Sequence, residues 1–256
     1  MKKIISLLLA LTLALSLLAL TSCNKGDDDD NGSNNSNTAT TLAGKTPEEL
    51  YEISKTKLEE ATNYSVNASQ VIKMTYNGEE ITTNQTVICT VSGDNSYSKI
   101  YSDMAGMNME VWYVDGMLYS SLAGIKTKAP MDKDAFMEEY MGADASENTL
   151  LDIPESWFKD IKFEKEDTKW VLNFVITAEK YNEILDNADI GGEITGDVIC
   201  KIYFDNEGNI EKMITTFDMT TMGVTAHCDS VAYITIGNAT VTPPADADSY
   251  TLTSIQ

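Results

Sequence analysis

From Tyr64 to Tyr76 the chain alternates: Val66, Ala68, Ile72 and Met74 fall on one parity, Ser65, Asn67, Ser69 and Lys73 on the other. A period of two belongs to a β-strand, whose successive side chains point to opposite faces, so the segment reads as a half-buried strand. Asn77-Gly78 follows, a pair that accepts the positive backbone φ of a tight hairpin turn. The return run, Ile81 to Val91, puts Val87, Cys89 and Val91 on one face. Strand-like runs continue at Ser96 to Ser102, Met107 to Val114 and Met117 to Leu122, the last two joined through Asp115-Gly116. No long crossover separates them, which predicts an antiparallel meander.

Helical signals bracket and interrupt these runs. Thr46-Pro47-Glu48-Glu49 is an N-cap, a proline at the first helical position and a Glu three residues after the cap. Leu50, Ile53, Leu58 and Ala61 then share one helix face. A second helix is expected after Asp132, with Phe136, Met137, Tyr140 and Met141 on one side, followed by a short apolar element from Pro154 to Phe158. Strands are expected at Ile161 to Glu166 and Lys169 to Ile176. A helix capped by Thr177 then carries Tyr181, Ile184, Leu185 and Ala188 at amphipathic spacing. Strands resume at Asp197 to Phe204, Ile210 to Thr220 and Val224 to Ile236, with a last edge strand at Tyr250 to Thr253. Roughly ten strands and three or four helices predict one α+β domain over residues 46–256: a curved, mostly antiparallel sheet with helices covering its concave face.

Charge narrows the function classes. The 256 residues carry 18 basic against 40 acidic side chains, a net charge of −22, and every basic residue is Lys. Nucleic-acid binding is not expected, because it depends on basic patches and on the bidentate fork of arginine. His227 is the single histidine, which argues against His-based triads and multi-histidine metal sites. No nucleophile elbow, P-loop, dinucleotide fingerprint, C-x-x-C or H-E-x-x-H motif occurs, so no enzyme and no cofactor are expected. His227 adjoins Cys228, but strand neighbours point to opposite faces and do not form a nucleophile–base pair. Asp205-Asn206-Glu207-Gly208-Asn209 loosely resembles the start of a calcium loop; Thr216 stands where the bidentate Glu belongs, and a hairpin turn fits better.

The N-terminus carries an address. Met1-Lys2-Lys3 precedes an uncharged apolar run from Ile4 to Leu20, which ends in Leu20-Thr21-Ser22-Cys23. Seventeen apolar residues sit at the short edge of what spans a bilayer, and no basic stop-transfer cluster follows. Leu-Thr-Ser-Cys resembles the lipobox of bacterial lipoproteins, in which the chain is cut before the cysteine and the cysteine carries the lipid. The resemblance implies a signal peptide over residues 1–22, acylation (palmitate-type) at Cys23 and attachment to the extracytoplasmic face of the cell membrane. Residues 23–45 are then a tether rich in Asp, Asn, Ser, Gly and Thr; a flexible coil of that length reaches roughly 25 Å. Asp27-Asp28-Asp29-Asp30 within it reads as solvated like charge rather than as a metal site.

Two residue types bear on the folded part. Cys89, Cys200 and Cys228 each lie in strand-like runs at wide spacing, which suits three buried thiols or one disulfide with a thiol left over. The methionines cluster, and Met107, Met109, Val111, Met117, Met137 and Met141 are the candidate ligand-binding residues. Such clusters suit ordinary core filling or an apolar cavity between a curved sheet and a helical lid.

The Thr-Pro-Glu-Glu-Leu helix start, Asn63-Tyr64-Ser65 leading into a long strand, and the hairpin Trp112-Tyr113-Val114-Asp115-Gly116-Met117-Leu118-Tyr119 are similar to Gram-positive lipoproteins with a LolA-like fold. LolA and its mycobacterial relatives of the LppX/LprG type hold acyl chains between a curved sheet and its helices. The resemblance therefore implies a monomeric, membrane-tethered domain that binds a lipid or other hydrophobic ligand. The absence of arginine departs from LolA, where an arginine helps control lid opening. The alternative is a surface domain that meets protein partners through its sheet face and has a filled core.

Overall fold

The computed structural model describes residues 45–253 apart from 77, 104–105, 137–156, 168, 188–192, 206 and 222. Thr46 starts helix α1 (Pro47–Glu59) through a complete capping box: its hydroxyl accepts from the Glu49 amide, and the Glu49 carboxylate accepts from the Thr46 amide at 2.7 Å. The first hairpin pairs β1 (Asn63–Tyr76) with β2 (Glu79–Ser92). The meander continues through β3 (Asn95–Ser102), β4 (Met107–Val114), β5 (Met117–Leu122) and β6 (Ile125–Pro130). A single helical turn, α2 (Lys133–Phe136), follows. The second half comprises β7 (Phe158–Glu166), β8 (Lys169–Ile176), α3 (Ala178–Asn187) and β9 (Glu193–Ile194). It ends with β10 (Val198–Phe204), β11 (Ile210–Thr221), β12 (Val224–Ile236) and β13 (Thr251–Leu252).

All thirteen strands belong to one curved sheet in the order β13-β6-β5-β4-β3-β2-β1-β12-β11-β10-β8-β7, with β9 added beside β11. Its two ends, β13 and β7, do not pair with each other, so the sheet is unclosed. Pairing is antiparallel except between β13 and β6. The halves meet where β1 pairs with β12, from Tyr64 opposite Ile236 to Met74 opposite Ala226.

Register and alternation carry one apolar face across the strands. Ile72 lies opposite Cys228, which lies opposite Phe217; Ala68 lies opposite Val87 and Ala232. On this inner face Ile72, Phe174, Ile202 and Met219 are fully buried. Helix α1 packs on it through Tyr51, whose ring meets Phe158 edge-on at 6.0 Å, and α3 through Tyr181, which stacks on Phe217 at 6.4 Å. Asn182 of α3 holds β9, donating to the Ile194 carbonyl at 3.0 Å and accepting from its amide at 2.7 Å.

Two strands lie beyond those expected from the sequence. Residues 125–130 (Ile-Lys-Thr-Lys-Ala-Pro) lack clean alternation, and Lys and Pro are residues that natural edge strands carry to block further pairing. That strand is held by the two-residue turn Ala123-Gly124, both at positive φ, and is then covered by β13. β9 is only two residues long, too short for any periodicity. The helix expected to run on through Met137, Tyr140 and Met141 is described as far as Phe136.

Helix α1 is pinned to the β10–β11 turn. The Ser54 hydroxyl donates to the carbonyls of Leu50 and Gly208, and Lys57 Nζ donates to the Glu207 carbonyl at 3.0 Å and to Asn209 Oδ1 at 2.8 Å. Gly208 has φ +80°, and a Cβ placed on it would stand 3.1 Å from Leu50 Cδ2. A side chain there meets both backbone strain and a buried leucine. Gly208→Ala is expected to lower stability by about 1–3 kcal/mol, read as a lower denaturant midpoint at unchanged slope.

Candidate functional site

The inner face holds two separate apolar clusters. The larger spans β1, β2, β8, β10, β11 and β12 with α1 and α3. The smaller comprises Val111, Tyr113, Leu118, Met131 and Phe136, with Met109 packed against it. Tyr113 and Phe136 stack at 4.5 Å and 13°, and the Tyr113 hydroxyl donates to the Met131 carbonyl at 3.4 Å. Between the clusters runs β3, whose inner positions are Ser96, Ser98, Ile100 and Ser102. Three of these four are serines; the fourth, Ile100, packs on the larger cluster and stands opposite Met109 beside the smaller one.

The candidate ligand-binding residues divide. Met109 and Val111 lie on the inner face, Val111 buried and Met109 half-buried beside it. Met107 stands in β4 opposite Ser102. Met117 does not join them. The two-residue turn at Asp115-Gly116 sets it opposite Val114, and alternation then gives it the face opposite to Val111 and Tyr113. Hairpin register therefore separates Met117 from Met109 and Val111. Met137, Met141 and Cys23 lie outside the described residues.

One feature of this face was passed over in the sequence reading. Ser102, Gln85, Gln70, Ser230 and Thr215 are cross-strand neighbours on β3, β2, β1, β12 and β11, and together form a polar row across the middle of the inner face. All five are buried, Gln70 and Gln85 at 1% exposure and Ser102 at 0%. Both polar atoms of Gln70, both of Gln85 and the Ser102 hydroxyl have no hydrogen-bond partner in the protein. Each such group costs on the order of 1–3 kcal/mol of desolvation. The signal was in the alternation itself: Gln70 falls on the parity of Ala68 and Ile72, and Gln85 on that of Val87 and Cys89.

The remaining candidates have structural partners. His227 and Cys228 point to opposite faces. Cys228 is fully buried inside, and His227 on the outside places Nδ1 2.8 Å from Asp218 and Nε2 3.4 Å from Asp229. Asp205 closes the β10–β11 hairpin: its carboxylate accepts from the amides of Glu207 and Asn209, each at 2.8 Å, and from Asn209 Nδ2 at 2.7 Å. Among the described residues no group of three or more His, Cys, Asp or Glu could hold a metal ion. No helix among them is long and apolar enough to cross a membrane. Cys89, Cys200 and Cys228 are all free and buried on the inner face, and burial pushes each thiol up to about 12.

No protein-family model and no curated protein matches the sequence. Among solved structures the chain is similar to LprF from Mycobacterium bovis, at 12% identity and a TM-score of 0.38, over 78% of this chain and 97% of that one. It is also similar to a LolA superfamily protein from Nitrosomonas europaea, at 9% identity and a TM-score of 0.27, over 75% and 93%. A DUF1329 family protein from Desulfovibrio piger matches at 12% identity and a TM-score of 0.25, over 73% and 92%. Likeness at this level assigns no function.

Two outcomes follow from these environments. Burial raises the Asp205 carboxyl, but the hydrogen bonds from Asn209 and Glu207 and the charge of Lys57 outweigh it and hold the group below its ordinary value. A depressed carboxylate stabilises the fold above its unfolded pKa, and that stability is lost as pH falls through the folded value. Asp205→Ala is expected to destabilise by roughly 1–2 kcal/mol at pH 7, with the difference from the parent shrinking below about pH 4 in a pH series of urea melts. At pH 8 the three core thiols are expected to stay unlabelled by an aromatic disulfide reagent in the folded chain and to react within minutes in denaturant. Fast labelling of the folded chain would contradict the burial described.

Proposed function

We propose that this chain is an extracytoplasmic lipoprotein, anchored through acylated Cys23, whose domain is a LolA-like half-barrel that holds a lipid or other hydrophobic ligand without a covalent bond. In this reading α1 and α3 close the concave side of the sheet over the ligand. The supporting observation is the divided inner face, with two apolar clusters parted by the serine-lined strip of β3. Acyl chain laid along the strip would join them, and burying about 400 Å² of it contributes up to roughly 10 kcal/mol before entropy is subtracted. No charged contact is needed for that, which suits a face built from aliphatic, aromatic and hydroxyl side chains.

The outer face gives less support to a protein-docking role. Its exposed apolar side chains are few and scattered: Tyr233 stands between Asn67 and Lys212, and Ile199 meets Val175 on one side and Thr216 on the other. Scattered single hydrophobics are ordinary surface. Tyr97, Trp112 and Tyr119 do form a row there, but Tyr250 of the C-terminal tail meets Trp112 at 6.2 Å and Tyr119 at 5.6 Å.

Full-length protein purified from membranes of its own host and extracted with organic solvent is expected to release close to one hydrophobic molecule per chain, identified by mass spectrometry. The N-terminal peptide should carry acyl chains on Cys23, and Cys23→Ala should move the protein from the membrane to the soluble fraction. A folded, acylated chain with nothing bound would sink the ligand reading while leaving the anchor in place.

A further inference from the structure

The unpartnered atoms of the polar row say more about the ligand than the apolar face does. This inference rests on the ligand reading above and narrows it to a chemical class. Gln70 and Gln85 are opposed in the β1–β2 register, and Ser102 is opposed to Gln85 in the β2–β3 register, so their side chains leave the same face of three adjacent strands. The two amides do not bond each other, nor does the serine bond either of them. The inner positions on either side of the row are uncharged: Ala68 and Ile72 on β1, Val87 and Thr83 on β2, Ala232 and Cys228 on β12. At the solvent edge exposed Asp103 accepts from the Thr83 hydroxyl and, at 2.8 Å, from the Asn84 amide.

We propose that Gln70, Gln85 and Ser102 are the specificity-determining hydrogen-bonding groups of the site, and that they receive the uncharged polar linkage of a lipid whose apolar parts lie on both sides of it. An ester linkage with a neighbouring hydroxyl, as in a diacylglycerol, matches them. Two carboxamides and a hydroxyl both donate to carbonyl oxygens and accept from a hydroxyl. A free fatty acid does not match: its carboxylate would be buried with no cation in the row. A plain alkane would fill the apolar surface and leave the five polar atoms unpartnered. Gln70 and Gln85 stand at mid-strand in β1 and β2 with apolar positions on the same face, while Ser102 ends β3, so the linkage is received where apolar surface borders the end of a strand.

The test uses the full chain, stripped of bound lipid and held in nonionic detergent. It is titrated with dioctanoylglycerol, with hexadecane as the apolar control and with palmitate as the anionic control, and bound molecules are counted by native mass spectrometry. The diacylglycerol is expected to bind about tenfold tighter than either control, a difference of 1.4 kcal/mol. The double variant Gln70→Leu, Gln85→Leu should lose that preference and keep its affinity for hexadecane. If the double variant does not fold, Ser102→Ala and Gln85→Met, each a smaller change, should each lower the preference severalfold. A double variant that melts higher and keeps the parent's preference would assign the row to buried water and overturn the proposal. Equal binding of dioctanoylglycerol and hexadecane by the parent would overturn the proposal but leave the hydrophobic-ligand reading standing. Binding of none of the three would overturn both.

Discussion

The β1–β12 ladder makes one protein of two meanders. Its eleven paired positions join residues 64–74 to residues 226–236, a sequence separation that no hairpin can bridge. Closing so long a loop costs chain entropy before any contact is formed, so the ladder must be compensated by what it brings together. That compensation is visible on the inner face, where Ile72 meets Cys228, Ala68 meets Ala232 and Val66 meets Ile234. Without this pairing the first six strands would be a sheet with one small cluster, and the last six would lose the partner face of β12.

The same ladder decides where polarity is placed. The outer face is stitched by half-exposed ion pairs such as Lys99–Glu110 at 2.9 Å and Lys201–Glu166 at 2.6 Å. Pairs of this kind are worth little individually. Their value lies in keeping one face wet, so that the sheet has a defined inside. Glu166 also accepts from the Tyr203 hydroxyl at 2.8 Å, and its carboxyl is held below the ordinary value by the hydrogen bonds from Lys201 and Tyr203. The tail from Gly237 to Tyr250 adds a second device: it carries the chain round to β6, where β13 pairs in parallel and covers a strand edge that would otherwise recruit another chain.

Against this division the polar row stands out. Ser230 enters it from the second half of the chain and Gln70, Gln85 and Ser102 from the first, so it exists only once the halves are joined. Thr215 at its far end stands opposite Cys200 and is not among the unpartnered groups. The other end, on β1 to β3, keeps its hydrogen-bonding capacity unspent. That end borders the β3 strip that lies between the two apolar clusters of the described residues.

The sequence by itself determined the strands with clean alternation, their tight turns, the capping box of α1 and the amphipathic helix after Thr177, because each depends on neighbours a few residues away. It put Cys89, Cys200 and Cys228 in strand-like runs but left a disulfide between two of them open; the tertiary structure keeps all three as free, buried thiols. β6 and β9 escaped it: one is built from edge-strand residues without alternation, and the other is too short to have a period. Of the candidate site it gave the inward parity of Met109 and Val111 but did not separate Met117 from them, since its face is fixed by which residue it meets across the Asp115-Gly116 turn. The row of Gln70, Gln85 and Ser102 was legible only as three polar residues on apolar parities. That they form one line was decided by register between strands, a tertiary quantity that local periodicity does not contain.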